Sequence, residues 1–190
     1  MALHAVLKQE AQVILFADPS QNLYGRDFEI PSDVFDGMLP YPFQLMHNCR
    51  NSLEIAQWLN NRFDYASVPA PNLHAANELV KEHVWKNIDE QTVQLAKAWE
   101  ALKERGVKAE QLAILSPYRP ENSGGIRTLE NAFEGEPFVT STINSYKGLQ
   151  SPFVFLVDMN TGAFASREDL WYVGATRATV GLQTFAKIET

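Results

Sequence analysis

Thr142-Ile143-Asn144-Ser145-Tyr146-Lys147-Gly148-Leu149-Gln150, followed closely by Phe153-Val154-Phe155-Leu156-Val157-Asp158, is the stretch on which the reading of this chain turns. A continuous apolar run closed by an acid is the pattern of a strand buried on both faces of a parallel sheet. Phe138 to Ser141 reads as a shorter strand ahead of it, so Lys147-Gly148 falls on the connection between two strands. Glycine gives that connection backbone freedom, and lysine gives it a cationic tip. Taken alone, such a tip is either a neighbour for phosphates or a solvated turn.

The same punctuation recurs outward in both directions. Val13 to Ala17 is an apolar run ending at Asp18, Leu112 to Ser116 is a strand closed by Pro117, and Gly181 to Ala186 reads as the last strand. Phe43 to Met46 reads as a short strand and Glu78 to Trp85 as an alternating one. Between them lie helical patterns. Asn51-Ser52 caps a helix with Leu53, Ile55, Ala56, Trp58, Leu59 and Phe63 on its apolar positions. Asp89 to Arg105 is a helix with Val93, Leu95 and Ala96 on the apolar side, stopped by Gly106. Ser123 to Phe133 and Arg167 to Arg177 complete the set, while Gln21 to Pro42 and Tyr65 to Ala75 read as loops. Strands alternating with helices predict an α/β fold, a mostly parallel sheet covered by helices on both faces.

Bulk properties fit that class. A chain of 190 residues, 45% apolar and 21% charged, suits one globular domain, or one plus a fragment. A net charge of −7 weighs against a general electrostatic grip on nucleic acid. It leaves room for a local groove in which Arg50, Arg119, Arg127, Lys147 and Arg177 converge. The single cysteine, Cys49, excludes an internal disulfide and suits a reducing compartment. Val13 to Ala17 is too short for a membrane span or a signal core, so the expected location is cytoplasmic, with no membrane partner.

Three more segments carry candidate chemistry: Asp18-Pro19-Ser20-Gln21-Asn22-Leu23-Tyr24-Gly25, His47-Asn48-Cys49-Arg50-Asn51-Ser52, and Tyr172-Val173-Gly174-Ala175-Thr176-Arg177-Ala178. Singly they have plain explanations. Asp18 with Pro19 is a capped turn, Arg50 a surface cation and Arg177 an ordinary helix-terminal arginine. Asp89-Glu90 is best read as a helix start capped by Asn87 or Asp89 rather than as a metal-holding acidic pair. His47 and Cys49 lack a second ligand pair nearby, so no metal is expected on this chain. Trp58, Trp85, Trp99 and Trp171 fall on apolar faces and read as core.

Taken in order, these segments resemble the third to sixth motifs of the UvrD/Rep family of superfamily-one DNA helicases. Thr142 to Gln150 is similar to that family's T-I-H-S-A-K-G-L-E at six of nine positions. The resemblance implies a RecA-like, P-loop NTPase-type domain lacking the P-loop itself, since no G-x-x-x-x-G-K-[ST] occurs in the sequence. It implies that residues 1–25 are the last strand and third motif of a first RecA-like domain, and residues 26–190 a second one. It makes Gln21 a γ-phosphate sensor and Asp18 a nucleotide-side carboxylate, with Tyr24 near the DNA path. Arg50 then reaches the γ-phosphate, and Cys49 stands where the family has a base-stacking tyrosine. Thr142 and Asn144 face nucleic acid, Asn144 replacing a histidine. Lys147, Gly148 and Gln150 bind nucleotide, Gln150 replacing the glutamate that holds the ribose. Arg177 becomes the arginine finger. The expected cofactor is ATP with Mg²⁺, shared with a domain bearing Walker A and B motifs, and the expected partner is single-stranded DNA. Turnover by this chain alone is expected to be negligible. The alternative is a degenerate RecA-like module used for protein docking or nucleic-acid binding without an ATP cycle.

Overall fold

The computed structural model describes residues 45–64, 66–77 and 80–188. The Val13–Ala17 run, the segment holding Asp18, Gln21 and Tyr24, the loop up to Pro42 and the division at residue 25 lie outside them.

Eleven strands and helices follow one another in these residues: β1 (His47–Asn48), α1 (Leu53–Arg62), β2 (Val68–Pro69), β3 (Lys81–Trp85), α2 (Ile88–Glu104), β4 (Leu112–Ser116), α3 (Gly124–Ala132), β5 (Val139–Thr142), β6 (Ser151–Met159), α4 (Glu168–Ala175) and β7 (Ala178–Lys187). Five strands make one sheet in the order β3-β7-β6-β4-β5, every pairing parallel. β1 and β2 form a separate two-residue parallel ladder.

The alternation of side chains assigns each face its cover. On β4, Leu112 and Ile114 face the layer of α2 and α3, while Ala113 and Leu115 face that of α1 and α4. On β6, Phe155 and Val157 join the first layer, and Val154 and Leu156 the second. Trp99, Leu95, Ile126, Leu129 and Phe185 fill the first; Ile55, Leu59, Phe63, Ile143, Leu170 and Val173 fill the second. Both faces of the central strands are therefore dry, which is why β4 and β6 read as unbroken apolar runs.

Most expected elements occur within a residue or three of their predicted ends. Four readings change. Leu45 and Met46 are not strand; the chain enters β1 one residue later, and its pairing places β2 inside the stretch read as a loop. Ser52 is the N-cap position of α1, but its hydroxyl donates to Val180 O at 3.1 Å instead of capping the helix. Val93 is 51% exposed, because the buried side of α2 runs through Gln91, Leu95, Ala98, Trp99 and Leu102. Val93 lies across the helix from that line. Finally, Trp58 is only half-buried, whereas Trp85, Trp99 and Trp171 are buried as expected. Asn87 does cap α2, accepting from Glu90 N at 3.0 Å.

One polar cluster sits at the carboxyl edge of the sheet. Asp158, 5% exposed and held at φ 56°, accepts from Gln91 Nε2 at 3.1 Å, Ser116 Oγ at 3.0 Å, Gly125 N at 3.0 Å and Ser123 Oγ at 2.5 Å. Gly125 makes the approach possible, since a Cβ there would lie 2.7 Å from Val157 Cβ. The carboxylate thus joins β6 to α2, β4 and the start of α3. Replacing it by alanine leaves several buried donors without an acceptor. Asp158→Ala is expected to lower the unfolding free energy by about 2–4 kcal/mol, measured by urea denaturation. A loss below about 0.5 kcal/mol would show that the cluster does not hold the layers together.

Candidate functional site

Three of the segments singled out in the sequence meet at the amino ends of β6 and β7. Ser151 and Ala178 are register partners at the start of these strands. The sixth-motif segment reaches that edge along α4, which ends at Ala175, and the fifth-motif segment reaches it by the connection from β5. Ser151 N donates to Arg177 O at 3.0 Å, stitching the two together.

The fourth-motif turn is fastened to the same place. Asn51, 3% exposed, donates from Nδ2 to Thr176 O at 3.3 Å and to Ala178 O. Ser52 N donates to Thr179 O at 2.9 Å, alongside the Ser52 hydroxyl bond to Val180 O. Within the turn, Asn48 Oδ1 accepts from Arg50 N and Asn51 N at 3.1 and 3.2 Å. Arg50 and Cys49 stay exposed at its tip. The polar residues around Arg50 are thus the fixings of the turn. Their side chains could be placed on a loop from sequence; their long-range partners could not.

Arg177 is 1% exposed. Its Nε donates to Val173 O at 3.0 Å, Nη2 to Thr176 Oγ1 at 2.9 Å and Nη1 to Leu149 O at 3.5 Å. The guanidinium therefore lies against carbonyls at the end of α4 and beneath the fifth-motif turn, sheltered from solvent. A cation there suits the negative end of the helix dipole. Lys147, Gly148, Leu149 and Gln150 cross above it as an exposed turn, with Gly148 at φ 93°, a conformation natural to glycine.

Tyr146 closes that turn from inside. It is 6% exposed, and its hydroxyl donates to Gln150 O at 3.1 Å. Burial pushes the phenol's pKa up, partly opposed by a hydrogen bond from Ser151 and by the positive charge of Arg177.

Thr142 and Asn144 belong to the other edge. Thr142 pairs with Ser116 at the carboxyl end of β4, and Ile143 N donates to Ser116 O at 2.9 Å. The Thr142 hydroxyl is engaged within its own turn, bonding Ser145 Oγ at 2.8 Å and accepting from Ser145 N at 2.9 Å; Asn144 is exposed. At ~3.3 Å per residue, Thr142 and Ser151 are separated by about 20 Å along the strand direction. The expected cationic groove is not gathered in one place. Arg50, Lys147 and Arg177 share the amino edge, whereas Arg119 follows the carboxyl end of β4 and Arg127 lies on α3, over the opposite face.

The pattern that defines the UvrD-like helicase C-terminal domain matches residues 137–182, from the approach to β5 through the middle of β7. Over that stretch the chain is similar to UvrD-like helicase C-terminal domains. Its fold is RecA-like, and it resembles the solved C-terminal domain of a possible DNA helicase from Lactobacillus plantarum WCFS1. That likeness has 17% identity and a TM-score of 0.51, over 72% of this chain and 86% of the other. The PRRSV helicase aligns at 17% identity and TM-score 0.42 over 80% of this chain and 25% of its own length. Arterivirus nonstructural protein 10, a helicase, aligns at 16% identity and TM-score 0.38 over 74% and 25%. A search of curated proteins gave no match. Among the described residues, no helix is long and apolar enough to cross a membrane.

The raised pKa of Tyr146 fixes a sign. The native state favours the neutral phenol, so its contribution is complete below the unfolded pKa of about 10 and is lost as pH rises through the folded value. Unfolding midpoints measured from pH 8 to 11.5 should therefore fall less steeply above about pH 10 in Tyr146→Phe than in the parent. Parallel curves would mean that the phenol ionises alike in both states.

Proposed function

We propose that this helicase-related domain is the C-terminal motor portion of an ATP-dependent DNA helicase or translocase, residues 26–190 forming its second RecA-like domain. The observation that carries the reading is the convergence of the fourth, fifth and sixth motif segments through Asn51, Ser151 and Arg177. A site split between two domains needs one face that delivers cationic and amide donors together, and this edge does so.

The roles follow from residue chemistry. Arg50 offers a planar fork of donors on an exposed turn, suited to a terminal phosphate. Lys147 and Gly148 line the phosphate side of the fifth-motif turn, and Gln150 offers an amide to the ribose. Arg177 supplies positive charge to the transferring phosphoryl group once it is uncovered. The turns 48–52, 147–151 and 174–178 contain no carboxylate, so they suit ATP phosphates but not Mg²⁺. Bound Mg²⁺ would neutralise phosphate charge; its ligands come from a domain bearing Walker A and B motifs, in the same protein or on a partner chain. Asp18 and Gln21 would complete the phosphate side, and Tyr24 with Thr142 and Asn144 would line the single-stranded DNA groove. The work would take place in the cytoplasm.

The burial of Arg177 favours a second reading: a RecA-like module that has kept the frame for docking a protein or nucleic acid and no longer drives an ATP cycle. Cys49 and Gln150 point the same way.

ATP hydrolysis separates the two. The purified chain should show no turnover with or without single-stranded DNA. Supplied with a Walker A-bearing domain, it should turn over, and Arg177→Ala should then lower kcat about 10³-fold or more. Turnover unaffected by Arg177→Ala would remove the arginine-finger role. DNA-stimulated turnover by the chain alone would remove the need for a second domain.

A further inference from the structure

The fifth-motif turn is held by a residue that the family pattern does not provide. Where T-I-H-S-A-K-G-L-E has alanine, this chain has Tyr146, buried within the α1/α4 layer. Its ring is buried, and its hydroxyl donates to Gln150 O at 3.1 Å. The neighbouring carbonyl, that of Leu149, accepts from Arg177 Nη1 at 3.5 Å, and the residue after Gln150, Ser151, donates its backbone N–H to Arg177 O at 3.0 Å. Ser151 Oγ in turn donates to Gln111 O at 2.8 Å, anchoring the end of the turn to the start of β4. One phenol thus ties the first half of the turn to the strand start against which the guanidinium is packed.

We propose that Tyr146 is a positioning residue that clamps the Lys147–Gln150 turn shut over Arg177, keeping the guanidinium sheltered until the turn is displaced. An alanine leaves no hydroxyl at that place, so the turn would lose its tie from residue 146 to Gln150 O. The clamp sets a threshold: a ligand or docking domain that lifts the turn must break the phenol–carbonyl bond before Arg177 is accessible. That this opening serves a nucleotide rests on the function proposed above; the clamp itself does not.

The raised pKa of the phenol agrees with the geometry, since burial keeps the hydroxyl in its donating form. The ring is retained in Tyr146→Phe, so the layer stays packed and only the donor is lost. The test reads hydrogen exchange of the Arg177 Nε–H by ¹⁵N NMR in the chain itself, the resonance assigned by its loss in Arg177→Lys. Exchange should quicken about 5- to 10-fold in Tyr146→Phe, the cost of one hydrogen bond. Backbone amides in the centres of β4 and β6 should keep their rates. Ser145→Ala, which removes the Thr142–Ser145 hydroxyl contact in the same turn, should leave the Arg177 rate unchanged. Para-aminophenylalanine in place of Tyr146, restoring a donor, should return it toward that of the parent.

An Arg177 rate that is equal in the parent and Tyr146→Phe would overturn the clamp, as would equal acceleration in Ser145→Ala. Titration with the slowly hydrolysed analogue ATPγS then addresses the second point. Tighter binding by Tyr146→Phe supports the clamp as a threshold for nucleotide. Equal binding by the two proteins overturns that threshold, and absent binding in both, with a Walker A-bearing domain supplied, overturns the nucleotide reading while the exchange result still decides the clamp.

Discussion

Ser151 opposite Ala178, at the amino ends of β6 and β7, is the pairing on which the rest of the arrangement depends. A parallel pair begins at one edge, so each strand must be re-entered from a crossover that has travelled the length of the sheet. For β7 the crossover is α4; for β6 it is only the turn from Ile143 to Gln150. Both arrive where Asn51 and Ser52 fasten the head of α1 to the backbone between Thr176 and Val180. Shifting the register of that pair by one residue would turn the alternating side chains of β6 to the wrong layers. It would also part the three turns. The packing and the candidate site are therefore consequences of the same register.

Arg177 shows how such a junction handles charge. Moving a guanidinium out of water is costly unless its donors are met and the local field is favourable. Here Val173 O and Leu149 O meet it, and the carbonyl end of α4 supplies the field. With the guanidinium this deeply covered, the phosphate-facing role proposed for Arg177 requires that the covering turn move.

The architecture was legible because both-face burial writes itself into β4 and β6 as apolar runs, and because Asn87, Gly106 and Ser123 punctuate the helices between them. Less was legible where a residue's environment comes from far along the chain. Asn51 looks like a cap residue in sequence, yet its carboxamide bonds to carbonyls 125 and 127 residues away. Asp158 looks like the polar end of a strand, and an acid at the carboxyl end of a buried strand is the signal that could have marked it. That it would gather donors from α2, β4 and α3 depends on the crossovers. The direction of Arg177 was hidden for another reason: sequence gives residue type, whereas rotamer and cover are set by packing. Val93 misled because three neighbouring apolar residues do not define a face; the spacing of Gln91, Leu95 and Trp99 does.

The departures from the family pattern separate position from reactivity. Cys49 and Gln150 lie on exposed turns, and Asn144 is exposed as well, so each can change without disturbing the core. The turns themselves are held by contacts to the backbone: Asn48 to Asn51 N, Asn51 to Thr176 O, Tyr146 to Gln150 O, Ser151 N to Arg177 O. Bonds of that kind do not depend on which side chain the tip carries. An edge built this way can change its exposed tips, Cys49 and Gln150 among them, and still present its turns together, because the frame is encoded by Asn51, Tyr146, Ser151 and Arg177.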